Sequence, residues 1–239
     1  LFRVNSVVQK SEMTKDEMKN LIRKIIVRFS LFPIFLGLLT LLPAGTFDYW
    51  QVYVYIAFFV VPLIFVLLYF IKNDPKLLER RTKIKEKETT QRIIQITFSL
   101  LFFSAFIVSG LDRRFGWSDI PFSIIIFADF VSLSGYLIVF FVFKQNSYAS
   151  RVVEVDDNQQ VISTGLYGIV RDPMYAGVII MWVPIPVALG SYWGLIPIAT
   201  IPFALVFRII NEESVLIGKL PGYKEYCQKT KYRLIPFIW

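Results

Sequence analysis

Histidine is absent from the 239 residues, and cysteine occurs once, at Cys227. Without histidine there is no Ser/His/Asp or Cys/His nucleophile system and no histidine-ligated metal. One cysteine excludes a Cys-rich zinc site and an intrachain disulfide. No metal is therefore expected. Charge is scarce as well: Asp, Glu, Lys and Arg make up 18% of the chain, against about 25% in soluble proteins. What is abundant is apolar. Hydrophobic residues reach 55%, 23 of the residues are Phe, and the mean hydropathy is +0.56. Such a chain is read for membrane spans before anything else.

Four apolar runs have about the length of a bilayer crossing: 25–42, 50–71, 93–110 and 121–143. Arg28 sits near the start of the first, where it can snorkel to the headgroups. The second opens on Trp50, as an interfacial aromatic belt does. A fifth run, 174–207, is too long for one span and carries Gly190-Ser191 at its middle. It predicts two short antiparallel helices turning near 190–192. Its prolines, Pro184, Pro186, Pro197 and Pro202, are tolerable in a packed bundle and costly in a soluble helix. The expected fold is all-α: a polytopic membrane helical bundle of about six transmembrane helices, ending in a helical hairpin, with a small cytoplasmic cofactor-binding region.

The formal net charge of +8 sorts by side. Seven Lys/Arg precede or include Arg28, eight lie in 72–92, three in 144–173 and six from Arg208 onward. That places 24 of the 26 on one face, with only Arg113 and Arg114 opposite. The asymmetry predicts cytoplasmic termini and long loops, with attraction to anionic lipid in addition. The lipid bilayer is the expected partner, and nucleic acid is not. The first 24 residues are charged and lack an apolar core, so no cleavable secretory signal is expected in them. The loop 72–92 reads as a solvated interfacial helix. Asp129 lies in the outer half of the fourth span, which suggests pairing with Arg113 or Arg114. Cys227 reads as an ordinary reduced thiol.

With so little chain outside the bilayer, a site must be built at a span boundary. The interval 144–175 is the longest polar stretch after the fourth span, and 152–163 reads as two short extended pieces around a turn. It ends in Gly165-Leu-Tyr167-Gly168 and Arg171-Asp-Pro-Met-Tyr175, with Pro173 suited to a helix's first turn. The run divides the chain into 1–143, the tail and spans 1–4, and 144–239, the candidate core. Beyond the hairpin, Arg208 and Glu212 share one helix face. Their spacing alone indicates an intrahelical ion pair worth a few tenths of a kcal/mol. Topology adds more. Two antiparallel helices of ~16 residues return Arg208 to the interface that Tyr175 left, each covering ~24 Å, with the tail 219–233 able to close over both. Tyr, Asp, Arg and Glu converging at a half-buried boundary form a plausible ligand site.

GLYGIVRDPMYAG, a hydrophobic hairpin, RIINEE, then GYKEY and RLIPF together resemble the C-terminal core of integral-membrane methyltransferases. These are the isoprenylcysteine carboxyl methyltransferase and phospholipid methyltransferase-like proteins, whose pattern is G-x-Y-x-x-x-R-H-P-x-Y-x-G, a hairpin, R-x-x-x-E-E and a Y-x-x-Y tail. The segments N-x-Y-x-S at 146–150, DPxLLERR at 74–81 and GLDRRFGW at 110–117 are similar to bacterial members. The resemblance implies methyl transfer from S-adenosylmethionine to a lipophilic or membrane-partitioned acceptor: an isoprenylcysteine-like carboxylate, a small thiol or a lipid amine. It carries cofactor contacts onto Glu154, Gln159, Gln160, Val161, Ile162, Tyr167, Asp172, Pro173, Met174, Tyr175 and Glu212. It makes Arg208 the residue facing the acceptor, and Arg208 and Glu212 the catalytic pair.

The chemistry of these residues is compatible with that implication. Tyrosine faces hold a sulfonium by cation–π attraction of ~0.5–2 kcal/mol, and Arg208 can orient a carboxylate or lower a thiol's pKa. The chain has no Gly-x-Gly-x-Gly strand–helix turn, so the cofactor is not held as in soluble Rossmann-type enzymes. One departure stands out: the family histidine is Asp172. Two alternatives come from other classes. Membrane NADPH-dependent sterol or enone reductases also end in an Arg-His-Pro-x-Tyr turn, typically with Asn where Met174 stands. A non-catalytic membrane scaffold is the other, motivated by Asp172.

Overall fold

A computed structural model describes residues 14–82, 89–149 and 159–239. Among these there is no strand. The helices are α1 (Lys15–Ala44), α2 (Trp50–Asn73), α3 (Pro75–Thr82), α4 (Thr89–Phe115), α5 (Phe122–Gln145), α6 (Pro173–Trp182), α7 (Ile185–Ala188), α8 (Leu195–Ala199), α9 (Ile201–Lys219) and α10 (Tyr223–Lys229), with a 3₁₀ turn at Gly165–Gly168. Five stretches are long and apolar enough to cross a bilayer: α1, α2, α4, α5 and Leu195–Lys219. A shorter apolar stretch is Pro173–Ala188. The protein is an integral membrane helical bundle.

Local chemistry sets the ends of these helices. Thr14 and Glu17 form a capping box at the start of α1: Thr14 Oγ1 accepts from the Glu17 backbone and Glu17 accepts from the Thr14 backbone. Gly45, at φ +67°, closes the same helix in the left-handed region. Asp74 starts α3 by accepting from Leu77 N–H at 3.1 Å.

Helices meet where side chains are smallest. A Cβ at Gly135 of α5 would lie 2.4 Å from Met181 N and 2.6 Å from Gly177 O, both backbone atoms of α6. Such close approach is how helices associate in lipid, where burial of apolar surface drives little. Gly135→Ala is therefore expected to push α5 off α6 and cost about 1–3 kcal/mol. A thermal scan of the detergent-solubilised variant, with an unchanged melting temperature as the contrary result, checks this.

The hairpin departs from two regular 16-residue helices. Pro184 and Pro186 divide its first arm into α6 and α7, because a proline has no N–H for the ladder. The second arm bends at Thr200 between α8 and α9 and then runs on to Lys219. The turn between the arms falls at 189–194, with Gly190 at φ +75°. It is pinned by Tyr49, whose hydroxyl donates to the carbonyls of Ser109 and Leu189. Asp112 accepts from the hydroxyls of Ser118 and Ser191.

Two further expectations are corrected. Asp129 does not pair with Arg113 or Arg114. It shares an inward face of α5 with Ile125 and Ser132, and both its oxygens are buried without a partner in a small cavity with Tyr55, Ser132 and Tyr136. Arg113 instead donates to Asp48 O, and Arg114 lies over Phe115. Nor is 72–92 merely a wet helix. Leu77 and Leu78 of α3 are buried with Leu21, Ile25 and Phe70, and Arg80 and Arg81 lie over the rings of Tyr148 and Phe143. The extended pieces expected at 152–163 fall mostly outside the described residues, and 159–163 form no strand.

Candidate active site

The chain turns into α6 at Asp172-Pro173, and Pro173 occupies the first turn, where its missing N–H costs nothing. One helix turn away, the hydroxyl of Tyr175 is the meeting point of the two hairpin arms. It donates to Glu212 Oε2 at 2.6 Å and accepts from Arg208 Nε at 2.7 Å. The direct Arg208–Glu212 ion pair is longer, 4.0 Å, so the tyrosine relays between the two.

The C-terminal tail is strapped over this corner. Arg171 N–H donates to Tyr232 O and Asp172 N–H to Arg233 O, each at 2.9 Å. Arg171 Nη1 reaches Cys227 O and Thr230 O. Its Nε lies 2.7 Å from Glu213 Oε1, a charge contact too far out of line to count as a hydrogen bond. Arg233 Nε donates to Glu213 Oε2 at 2.8 Å. Tyr226 closes the other side by donating to Tyr167 O at 2.7 Å. The Cys227 thiol is free, and burial pushes its pKa up.

Between the α6 corner and the strap lies a cleft enclosing about 790 Å³ of non-atom space, including open solvent. Gln159, Gln160, Val161, Ile162, Tyr167, Asp172, Pro173, Met174, Tyr175 and Glu212 all line it. Glu154 lies outside the described residues. Arg208 does not line the cleft but stands behind Tyr175. The resemblance carried no contact onto Asn146, Tyr148, Ala149, Arg171, Leu216, Leu220, Tyr223 and Tyr226, which complete the wall. The Y-x-x-Y tail pattern was the available signal for the last two.

The electrostatics are those of a cation site. Five tyrosines line the cleft, and its carboxylates are Asp172 and Glu212. Its one lining cation among the described residues, Arg171, is committed to Glu213. Burial holds the phenols of Tyr167, Tyr223 and Tyr226 above their ordinary pKa, so these rings stay neutral. Burial first, then the carboxylates of Glu212 and Glu213, holds Asp172 well above the usual carboxylate range, while Arg171 and Arg233 pull it down.

No curated protein matches the chain. A family model described as phospholipid methyltransferase matches residues 123–220, from the start of α5 through the cleft-lining turn and the hairpin to Leu220. The matched segment thus contains every described residue onto which the resemblance carries a cofactor contact, and this part of the chain is similar to the phospholipid methyltransferases.

Proposed function

We propose that the protein is an S-adenosylmethionine-dependent methyltransferase whose acceptor is lipophilic or membrane-partitioned. The observation that carries this reading is the cleft itself: an anionic, tyrosine-walled cavity at the foot of an apolar hairpin. S-adenosylmethionine supplies a methyl group on a positively charged sulfur. Tyr167 and Tyr175 offer ring faces to that charge, Glu212 accepts from an ammonium or ribose hydroxyls, and Gln159 and Gln160 offer amide groups for polar atoms. Exclusion of water by the tail strap strengthens each of these contacts. Arg208 acts through the Tyr175 hydroxyl, fixing the position of the Glu212 carboxylate.

The cleft opens at the end of the bundle that carries the basic segments, so cytoplasmic access is the reading that the charge asymmetry supports. Among the candidate acceptors, a lipid amine fits the lining charge best. Among the described residues, an isoprenylcysteine-like carboxylate would meet Asp172 and Glu212, while the lining cation Arg171 is committed to Glu213 and so neither pairs with that carboxylate nor lowers a thiol's pKa. The NADPH reading lacks support for a similar reason, since a 2′-phosphate calls for an arginine to receive it.

Labelled-methyl transfer to a total membrane lipid extract, with the purified protein in nanodiscs, tests the proposal. Label should appear in the organic phase with wild type. Arg208→Ala combined with Glu212→Ala should lower it by about 10-fold or more, as expected for loss of hydrogen bonds to charged groups. A folded protein that labels no acceptor would favour the scaffold.

A further inference from the structure

Asp172 is placed where aspartate ordinarily caps a helix, yet its side chain makes no capping bond to α6. An N-cap carboxylate that accepts from the first-turn amides is a stabilising arrangement, and here it is forgone. The carboxyl lines the cleft instead, with Oδ2 shielded from solvent and without a hydrogen-bond partner. It cannot easily retract, because the backbone on both sides is held by the tail: Arg171 N–H to Tyr232 O and Asp172 N–H to Arg233 O. The neighbouring carboxylates are engaged. Glu213 lies between Arg171 and Arg233, and Glu212 accepts from Tyr175. A buried polar atom left unpaired costs about 1–3 kcal/mol, so its retention at the mouth of α6 points to a partner that arrives with the substrate.

We infer that Asp172 is the proton acceptor for an amine substrate, taking a proton from the acceptor's ammonium nitrogen through Oδ2. This rests on the methyltransferase reading above and adds a catalytic group to it. The N–H bond breaks and its proton passes to Asp172, leaving the electron pair on nitrogen. That pair forms the new N–C bond to the donated methyl group as the C–S bond breaks, its electrons staying on sulfur. The product is a methylated ammonium, a neutral thioether and a protonated Asp172, which returns its proton to water. A carboxylate acceptor is already ionised and needs no such group. Burial and the neighbouring Glu212 and Glu213 carboxylates raise the Asp172 pKa above the usual carboxylate range, which makes its carboxylate a stronger proton acceptor. The charged and titratable groups around it among the described residues are Glu212, Glu213, Arg171, Arg233, Tyr167, Tyr223, Tyr226 and Cys227.

The test compares wild type with Asp172→Asn and Asp172→His in nanodiscs doped with phosphatidylethanolamine or with dodecylamine, and reads methyl transfer against pH alongside S-adenosylhomocysteine binding. At saturating S-adenosylmethionine, amine transfer by Asp172→Asn at neutral pH should fall by about 100-fold or more, the usual size of a general-base effect. Its residual rate should climb with pH as free amine accumulates, whereas Asp172→His, which restores a base, should recover much of the neutral-pH rate. Stability provides a second readout. Because the folded pKa is raised above the ordinary 3.8, the folded state binds the proton more tightly than the unfolded one. The stabilising effect of that proton is full below the ordinary value and is lost as pH rises through the folded value. Asp172→Asn should therefore melt higher than wild type at alkaline pH and lose that advantage in acid. Wild-type amine transfer by Asp172→Asn, or no amine transfer by a wild-type protein that binds S-adenosylhomocysteine, overturns the inference. Absence of S-adenosylhomocysteine binding by wild type would instead strike the cofactor reading on which it rests.

Discussion

Glu213→Ala is expected to lower the melting temperature more than any other single change at the site. Glu213 is buried, and its two oxygens face Arg171 at 2.7 Å and Arg233 at 2.8 Å. Truncation leaves two guanidinium groups without their counter-charge, one of them buried, and breaking such a pair costs about 3–5 kcal/mol. For a chain of this size that corresponds to a fall of roughly 6–20 °C. The loss should not stay local, because Arg171 also holds the tail through Cys227 O and Thr230 O. Loosening Arg171 therefore loosens the roof of the cleft. Glu213→Gln keeps the shape and one acceptor and should fall between. Differential scanning of the three proteins in one detergent is the measurement. A Glu213→Ala transition within about 2 °C of wild type would mean that the strap is held by its hydrogen bonds to backbone carbonyls without help from the Glu213 ion pairs.

Glu212→Ala, in contrast, should leave the fold in place and weaken cofactor binding. Glu212 is only half-buried, and its partners remain paired when it is removed: the Tyr175 hydroxyl still accepts from Arg208 at 2.7 Å. What disappears is a negative charge lining the cleft. Hydrogen bonds to a charged group contribute about 1.5–3 kcal/mol, so S-adenosylhomocysteine should bind roughly 10- to 100-fold more weakly. Tyr175→Phe separates the two roles of the tyrosine. It keeps the ring face and removes the hydroxyl that joins Arg208 to Glu212, so its loss of affinity should be smaller than that of Glu212→Ala. Isothermal titration of the variants decides the order, and equal affinity in Glu212→Ala and wild type would remove Glu212 from the cofactor site.

Much of the fold was legible because lipid imposes simple rules. A run of about 20 apolar residues spans a bilayer, which marks the helices α1, α2, α4 and α5 in the composition alone. The 174–207 run had to turn back, and Gly190-Ser191 marked where. That turn is why Tyr175 and Arg208, 33 residues apart, share a hydrogen bond. The other features depend on contacts that no local pattern encodes. Prolines announce that a helix is disturbed but not where, and the breaks fall at Pro184 and Thr200. Helix rotation decides the fate of a polar side chain: it turns Asp129 inward, away from Arg113 and Arg114, and sets Arg208 behind Tyr175 rather than on the cleft wall. The strap of Arg171, Glu213 and Arg233 joins segments up to 62 positions apart by number, and an E-E pair in sequence does not say which glutamate faces the ligand and which the tail. Here Glu212 faces the cleft and Glu213 faces the arginines.

On the proposed function, the Asp172–Tyr175 corner, Glu212 and the tail form a site for S-adenosylmethionine rather than for a pyridine nucleotide. Titrating the detergent-purified protein in parallel with S-adenosylhomocysteine and with NADPH measures this directly. The expected result is saturable binding of S-adenosylhomocysteine that Glu212→Ala weakens, with no saturable binding of NADPH. Saturable binding of NADPH with none of S-adenosylhomocysteine would contradict it.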